Sequence, residues 1–292
     1  MATVTANGVT INYETFGDSA DPTLLLVNGL GSQLINYEPS FCQLFVDRGF
    51  QVVVFDNRDV GLTSKSEAPV PDVAANMAKY RRGEPVTGTP YTLRDMANDG
   101  FAVLDAVGAD AAHVAGMSMG GMIVQRMAID QPERVLSMTS IMSTTGSHTV
   151  GGATPEAGKV LVVPPPPDRD GFIEHTVNSR RVTGGSHYSA DYWREQAGRL
   201  YDRSFNPIGS AYQISAVSSD GDRTEELGSL SMPCLVIHGR LDPLIQLSGG
   251  EATAAAIPGS ELLVIDSMGH DLPEQIWEEV VSAMCATAAK AS

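Results

Sequence analysis

A chain of 292 residues, 42% apolar and 18% charged, describes a compact soluble protein with material for one large core plus an excursion rather than two equal domains. Its formal net charge of −16 repels nucleic-acid phosphates and anionic lipid surfaces, which argues against both as partners and leaves small neutral or apolar molecules. Cys42, Cys234 and Cys285 are odd in number, widely spaced and set among apolar residues, which points to buried free thiols in a reducing compartment. The stretch from Met1 to Gly8 lacks the basic start and apolar core of a signal peptide, and no run is long enough to span a bilayer, so a cytoplasmic protein is expected.

From Thr3 to Thr15 apolar and polar residues alternate around Asn7-Gly8, which predicts an antiparallel hairpin. Thr23 to Val27 and Gln51 to Phe55 are continuous apolar runs of the kind covered on both faces of a sheet. The helical stretch from Tyr37 to Arg48 between them implies a parallel crossover. Between Lys65 and Pro90 the composition turns to Pro, Gly, Glu and paired arginines without clear periodicity, which reads as a surface excursion. Thr92 and Asp95 fit a capping box, and Leu93, Met96, Ala97, Leu104 and Val107 share one helical face. A strand at Ala112 to Ala115, a helix to about Glu133 and a strand from Val135 to Met142 follow.

Regular patterning then breaks down until about Asp220, across the Pro164 to Pro167 run, Gly184-Gly185 and an aromatic group of Tyr188, Tyr192, Trp193, Tyr201, Phe205 and Tyr212. This stretch reads as an inserted, mainly helical cap at 145–219, within a core formed by 1–144 and 220–292; the aromatics serve its packing before any substrate. Pro233 to Ile237 resumes the sheet, Ser260 to Ile265 is its last strand, and an amphipathic helix from Pro273 through Met284 closes the chain.

The segment Gly116-Met117-Ser118-Met119-Gly120-Gly121 lies between a predicted strand and a predicted helix. In a chain with 29 glycines the Gly-x-Ser-x-Gly pattern alone is weak; the strand before and the helix after give it the context of a nucleophile elbow. Such a turn lifts a serine hydroxyl out of the sheet and leaves the next amide, that of Met119, at a helix N-terminus able to face an anion. A serine hydroxyl needs a base, and the base needs a carboxylate to fix its tautomer. In an open parallel sheet these groups converge at the carboxyl ends of strands, where Ser118, Asp242 and His270 stand in the order serine, acid, histidine.

Rivals are present for each partner. His238, at a strand end four residues before Asp242, reads as structural, His113 as core, and His148, His175 and His187 as solvated cap residues. Asp266 and Asp271 flank His270 but point away from it. Asp56 and Asp59 are the better alternative acids, although holding the turn from Asn57 to Gly61 explains them more simply. For the oxyanion, the Met119 N–H has a companion in the Leu30 N–H, carried on the glycine-rich Asn28-Gly29-Leu30-Gly31. No Cys or His spacing suggests a metal site, and the chemistry needs no cofactor.

With Asn28-Gly-Leu-Gly31, Asp56-Asn-Arg-Asp-Val-Gly61, Gly116-Met-Ser-Met-Gly-Gly121, His238-Gly-Arg-Leu-Asp242 and Gly269-His270, the chain resembles the α/β-hydrolase superfamily from about Gly8 to its last helix. Within it the resemblance is to cap-bearing serine esterases of the aclacinomycin methylesterase type. It implies an α/β fold with a mostly parallel sheet, helices on both faces and a cap. It further implies Ser118 as nucleophile, Asp242 as acid, His270 as base, Leu30 with Met119 as the oxyanion hole, and a small ester as substrate. Many members carry His before the glycine of the oxyanion loop; Asn28 here leaves the donor in place and the loop's supporting hydrogen bonds open. Serine at the elbow argues against the haloalkane dehalogenases and epoxide hydrolases, which use aspartate.

Two other function classes compete. Gly29-Leu30-Gly31 after a strand, with Asp56 ending the next one, suggests a nicotinamide-dependent oxidoreductase, but Leu34 stands where a third glycine belongs. A non-catalytic binding protein on the same fold is disfavoured by the complete set of catalytic residue types. Lactones, thioesters, carbon–carbon bonds and peracid formation all use the same three residues, so the substrate stays open at this level.

Overall fold

The computed structural model describes residues 2–291, with all their side chains except that of Val162; the expected outer limits of the core, 1 and 292, lie outside the described residues. Strands β1 (Ala2–Ala6) and β2 (Val9–Phe16) form the expected hairpin, with Ala6 opposite Val9. Asn7 and Gly8 turn it at φ 52° and 77°, the left-handed pair that a tight hairpin needs and that Asn-Gly supplies at least cost. There follow β3 (Thr23–Val27), α1 (Pro39–Val46), β4 (Gln51–Phe55), α2 (Val73–Arg81), α3 (Leu93–Val107), β5 (Ala112–Met117), α4 (Met119–Asp130) and β6 (Val135–Ile141). Then come α5 (Pro155–Val162), α6 (Arg169–Thr183), α7 (Ala190–Arg203), α8 (Gly209–Asp220) and α9 (Thr224–Leu227). The chain ends with β7 (Cys234–Gly239), α10 (Ser248–Ala256), β8 (Glu261–Ile265) and α11 (Trp277–Ala288).

The eight strands form one sheet in the order β1-β2-β4-β3-β5-β6-β7-β8. β2 is antiparallel to both its neighbours, and every pair from β4 to β8 is parallel. Successive side chains of a strand face opposite ways, so the apolar runs feed two cores. Leu25, Val27, Val53 and Phe55 meet α3 and α4 through Met96, Phe101, Leu104, Ile123 and Met127. Leu24, Leu26, Val52 and Val54 meet α1 and α11 through Phe41, Phe45, Val280 and Met284. The chain crosses from β3 to β4 on one side and later places β5 on the other. The strand order therefore reverses at β3, and a crevice opens at the carboxyl ends of β3 and β5, where Val27 pairs with Gly116.

Thr92 caps α3 with the expected box: its hydroxyl accepts from the Asp95 N–H while Asp95 accepts from the Thr92 N–H. The stretch 65–90 differs from its reading as an irregular excursion, because it contains α2. That helix buries no residue fully, so its periodicity is faint; the Asp72 carboxylate caps it, and Asn76 holds it to Ser215 of α8 at 3.1 Å.

Helices α5 to α8 lie between β6 and β7. α6 and α7 enclose a small core of Ile173, Val177, Trp193 and Ala197, Tyr212 enters the main core, and Phe172 meets Tyr201 at a tilt and Phe205 edge-on. The segment leaves and rejoins the sheet layer at one point. There the Arg223 N–H donates to the Thr145 oxygen at 2.8 Å, and the buried Arg223 guanidinium holds the Thr144 oxygen, Gln125 of α4 and Asp220. Among the described residues no helix is long and apolar enough to cross a membrane.

Candidate active site

Ser118 is the residue between β5 and α4, with φ 55° and ψ −117°, a backbone conformation that side chains disfavour. The surrounding glycines show why the sequence permits it. A Cβ on Gly116 would lie 2.0 Å from the Gly120 oxygen, and one on Gly120 2.1 Å from the Val27 oxygen. The turn is pinned by the Ser118 N–H donating to the Ile141 oxygen and by the Ser143 hydroxyl donating to the Ser118 oxygen, each at 2.8 Å.

The Ser118 Oγ is 3.0 Å from His270 Nε2, and His270 Nδ1 is 2.7 Å from Asp242 Oδ2. An ionised carboxylate only accepts, so Nδ1–H donates and Nε2 is left as an acceptor for the Ser118 hydroxyl. The other Asp242 oxygen accepts the N–H groups of Leu244 and Ile245 at 2.8 and 2.9 Å, which fixes the carboxylate's direction. His270 and Asp242 are both buried, and the His270 N–H donates to the Thr183 oxygen at the end of α6 at 2.7 Å.

The loop after β3 lies against this group. A Cβ on Gly29 would sit 3.2 Å from the Ser118 Cβ and 3.8 Å from its Oγ. Leu30 and Gly31 form a tight turn closed by the Ser32 N–H on the Gly29 oxygen at 3.2 Å, with Gly31 at φ 67°. The Met119 N–H is the first of α4 and has no partner within its helix. Asn28 supports the loop in its own way: its Nδ2 donates to the Gln33 oxygen at 3.1 Å, and its carbonyl accepts Asn57 Nδ2 at 2.9 Å.

The rival residues are engaged elsewhere. Asp56 accepts from the N–H groups of Leu34 and Leu62 and pairs with Arg203 of α7, so both its oxygens are occupied. Asp59 holds the Ser66 N–H and the Tyr91 hydroxyl. His238 donates from Nε2 to the Ile245 oxygen at 2.8 Å, and burial pushes its pKa below the usual imidazole value, which favours the neutral form. His113 meets Ser137, Asp266 pairs with exposed Arg240, and Asp271 accepts the Gly185 N–H. The thiols of Cys42 and Cys234 are free, and burial pushes both up to about 12, far from nucleophilic. Among the described residues no group of three or more His, Cys, Asp or Glu side chains could hold a metal ion.

Residues 22–275 match the model of the alpha/beta hydrolase fold family. The chain belongs to that family. Rhodomycin D methylesterase DnrP of Streptomyces peucetius is 28% identical to this α/β hydrolase, over 97% of this chain and 96% of its own. 3-Oxoadipate enol-lactonase 2 of Acinetobacter baylyi is 26% identical over 91% and 88%. Among solved structures, the enol-lactonase of Burkholderia xenovorans superposes with a TM-score of 0.73 at 20% identity, covering 99% of this chain and all of its own, which bears on the fold alone.

Three contributors around the site carry no local sequence signal. Gln33, Arg203 and Gln213 are buried or nearly so and bind backbone or side chains more than 100 residues away, so only the folded chain reveals them.

Proposed function

We propose that this α/β hydrolase cleaves carboxylic esters of small or medium-sized, largely apolar compounds through an acyl-enzyme on Ser118. The single observation that carries the reading is the pair of distances at His270, 3.0 Å to Ser118 and 2.7 Å to Asp242, made by a serine on a strained strand-to-helix turn. In this mechanism the Ser118 oxygen bonds to the ester carbon as its proton moves to His270 Nε2, and the carbonyl electron pair moves onto the oxygen. The Leu30 and Met119 N–H groups hold that oxyanion, and Asp242 stabilises the imidazolium. Collapse breaks the C–O bond, and the departing alkoxide takes the proton from His270. Water then attacks the acyl-enzyme, giving its proton to His270, and collapse returns the hydroxyl to Ser118 with release of the acid.

A methylesterase as a relative over nearly the whole chain supports the ester class. An enol-lactonase as a second relative favours one further reading, since a lactone is a cyclic ester open to the same attack. We also assign residues 145–219 to a cap over the crevice, and the free buried thiols suit a reducing compartment such as the cytoplasm. Labelling by a fluorophosphonate, followed by hydrolysis of matched series of methyl esters and lactones, tests the reading. Absence of labelling on Ser118 removes it, and a preference for rings over methyl esters selects the lactonase reading.

A further inference from the structure

We infer that Gln213 of α8 is a positioning residue for the oxyanion loop, so that the helices between β6 and β7 help to build the catalytic machinery as well as cover it. This rests on the proposed role of the Leu30 N–H. The Gln213 side chain is fully buried and uses both ends of its amide on the two loops at the sheet edge. Its Oε1 accepts the Gly31 N–H at 2.8 Å, and its Nε2 donates to the Arg58 oxygen at 2.7 Å. One side chain thus ties the turn after β3 to the turn after β4, and both to α8.

The direction of the Leu30 N–H follows from the turn that this clamp holds. A trans peptide holds its C=O and N–H antiparallel. The Gly29 oxygen is turned inward to the Ser32 N–H, so the Leu30 N–H points out of the turn. The next peptide, Leu30 to Gly31, is the middle one of a turn, which can rotate by half a circle between turn types at small cost. Gln213 accepts from the N–H of that peptide and stops the rotation, while Gly31 at φ 67° meets Ser210 of α8, whose Oγ is 3.1 Å from where a Cβ would be. Gln33 anchors the far end of the same loop: its Nε2 donates to the Leu200 and Ser204 oxygens at the end of α7, and its Oε1 accepts from Arg203. Asn57 also ties the two loops, its Nδ2 donating to the Asn28 oxygen. Of these, Gln213 holds the N–H of the peptide that follows the proposed donor, and Asn57 the carbonyl of the peptide that precedes it.

Gln213→Met keeps the length and removes both hydrogen bonds; Gln213→Glu is the conservative partner. Burial favours the neutral acid, whose carbonyl oxygen still accepts from Gly31 and whose O–H still donates to Arg58. Kinetics are taken per active site titrated with the fluorophosphonate, so that a fall in the folded fraction does not count. For Gln213→Met we expect kcat to drop about tenfold to a hundredfold, the scale set by a misplacement of an ångström, with KM within about threefold. Affinity for a trifluoromethyl ketone built on the best ester, whose adduct carries an oxyanion, falls in parallel, and Gln213→Glu restores most of both. A kcat and ketone affinity within threefold of the starting protein in Gln213→Met, or equal losses in both variants, overturns the inference. If Gln213→Met does not fold, amide exchange at Gly31 in the unmodified protein decides: a protected amide supports the clamp, and exchange at the free-peptide rate overturns it. Ser118→Ala separates the two levels. Retained hydrolysis there removes the functional reading itself, whereas an inactive Ser118→Ala beside a fully active Gln213→Met removes Gln213 alone.

Discussion

Asp242 and Asp56 are buried carboxylates at the same sheet edge, and their partners separate their roles. Asp242 spends one oxygen on two backbone N–H groups and turns the other to His270. Asp242→Asn keeps the shape and favours the wrong imidazole tautomer, so kcat should fall by up to about ten-thousandfold with little change in melting temperature. Asp56→Asn should act through stability, by about 3 kcal/mol, because it leaves the Arg203 guanidinium without its buried anion. Steady-state kinetics and thermal melts of both variants check this; turnover lost at an unchanged melting temperature in Asp56→Asn, with Asp242→Asn active, reverses the assignment. Ser118→Ala should lose at least about a thousandfold in kcat while remaining folded. At this scale Ser118, Asp242 and His270 are legible in the sequence because each follows an apolar run that fixes its position at a strand end. The sequence also reads Asp56 as holding a turn, and it does bind the Leu62 N–H. Its ion pair with Arg203 spans 147 residues and leaves no local pattern to read.

Among elements, the contrast between α3 and α2 shows what patterning can convey. α3 announces itself by a capping box and an apolar stripe, since its helical face meets the sheet directly. α2 rests on another helix rather than on the sheet, needs no apolar stripe, and is held by polar contacts such as Asn76 to Ser215. The join of α8 to α9 is likewise made by polar groups. Arg223 and Arg126 share Asp220, and through them α4 grips both ends of the segment between β6 and β7. Arg223→Met leaves buried acceptors at Gln125 and Thr144 unpaired and part of the Asp220 charge uncompensated. We expect a loss of about 3 kcal/mol in urea unfolding with an unchanged m-value. A loss under about 0.5 kcal/mol would mean that the join is held by other groups.

For the molecule as a whole, buried histidines set a pH dependence whose sign can be worked out. Burial lowers the pKa of His113 and of His238, so the folded protein keeps both neutral while the unfolded chain binds a proton at each below about pH 6.5. The unfolded state then holds more protons, and their contribution to stability is complete above that pH and is lost as pH falls below it. Asp99 and Asp271, raised by burial, run the opposite way, losing stability as pH rises from about 4 toward their folded pKa values. The comparison that isolates one group is therefore between variants. From pH 7 to pH 5 the unmodified protein should lose more unfolding free energy than His113→Gln does, and parallel curves would contradict the assignment. The backbone of Ser118 has a global consequence of its own. At φ 55° and ψ −117° any Cβ is strained, by about 1–3 kcal/mol, whereas glycine is not. Glycine is ordinarily the less stable choice beside alanine by about 0.5–1 kcal/mol, and here the ranking should invert, with Ser118→Gly melting above Ser118→Ala. If Ser118 is the nucleophile proposed above, selection for turnover keeps at this turn a side chain that selection for folding alone would discard.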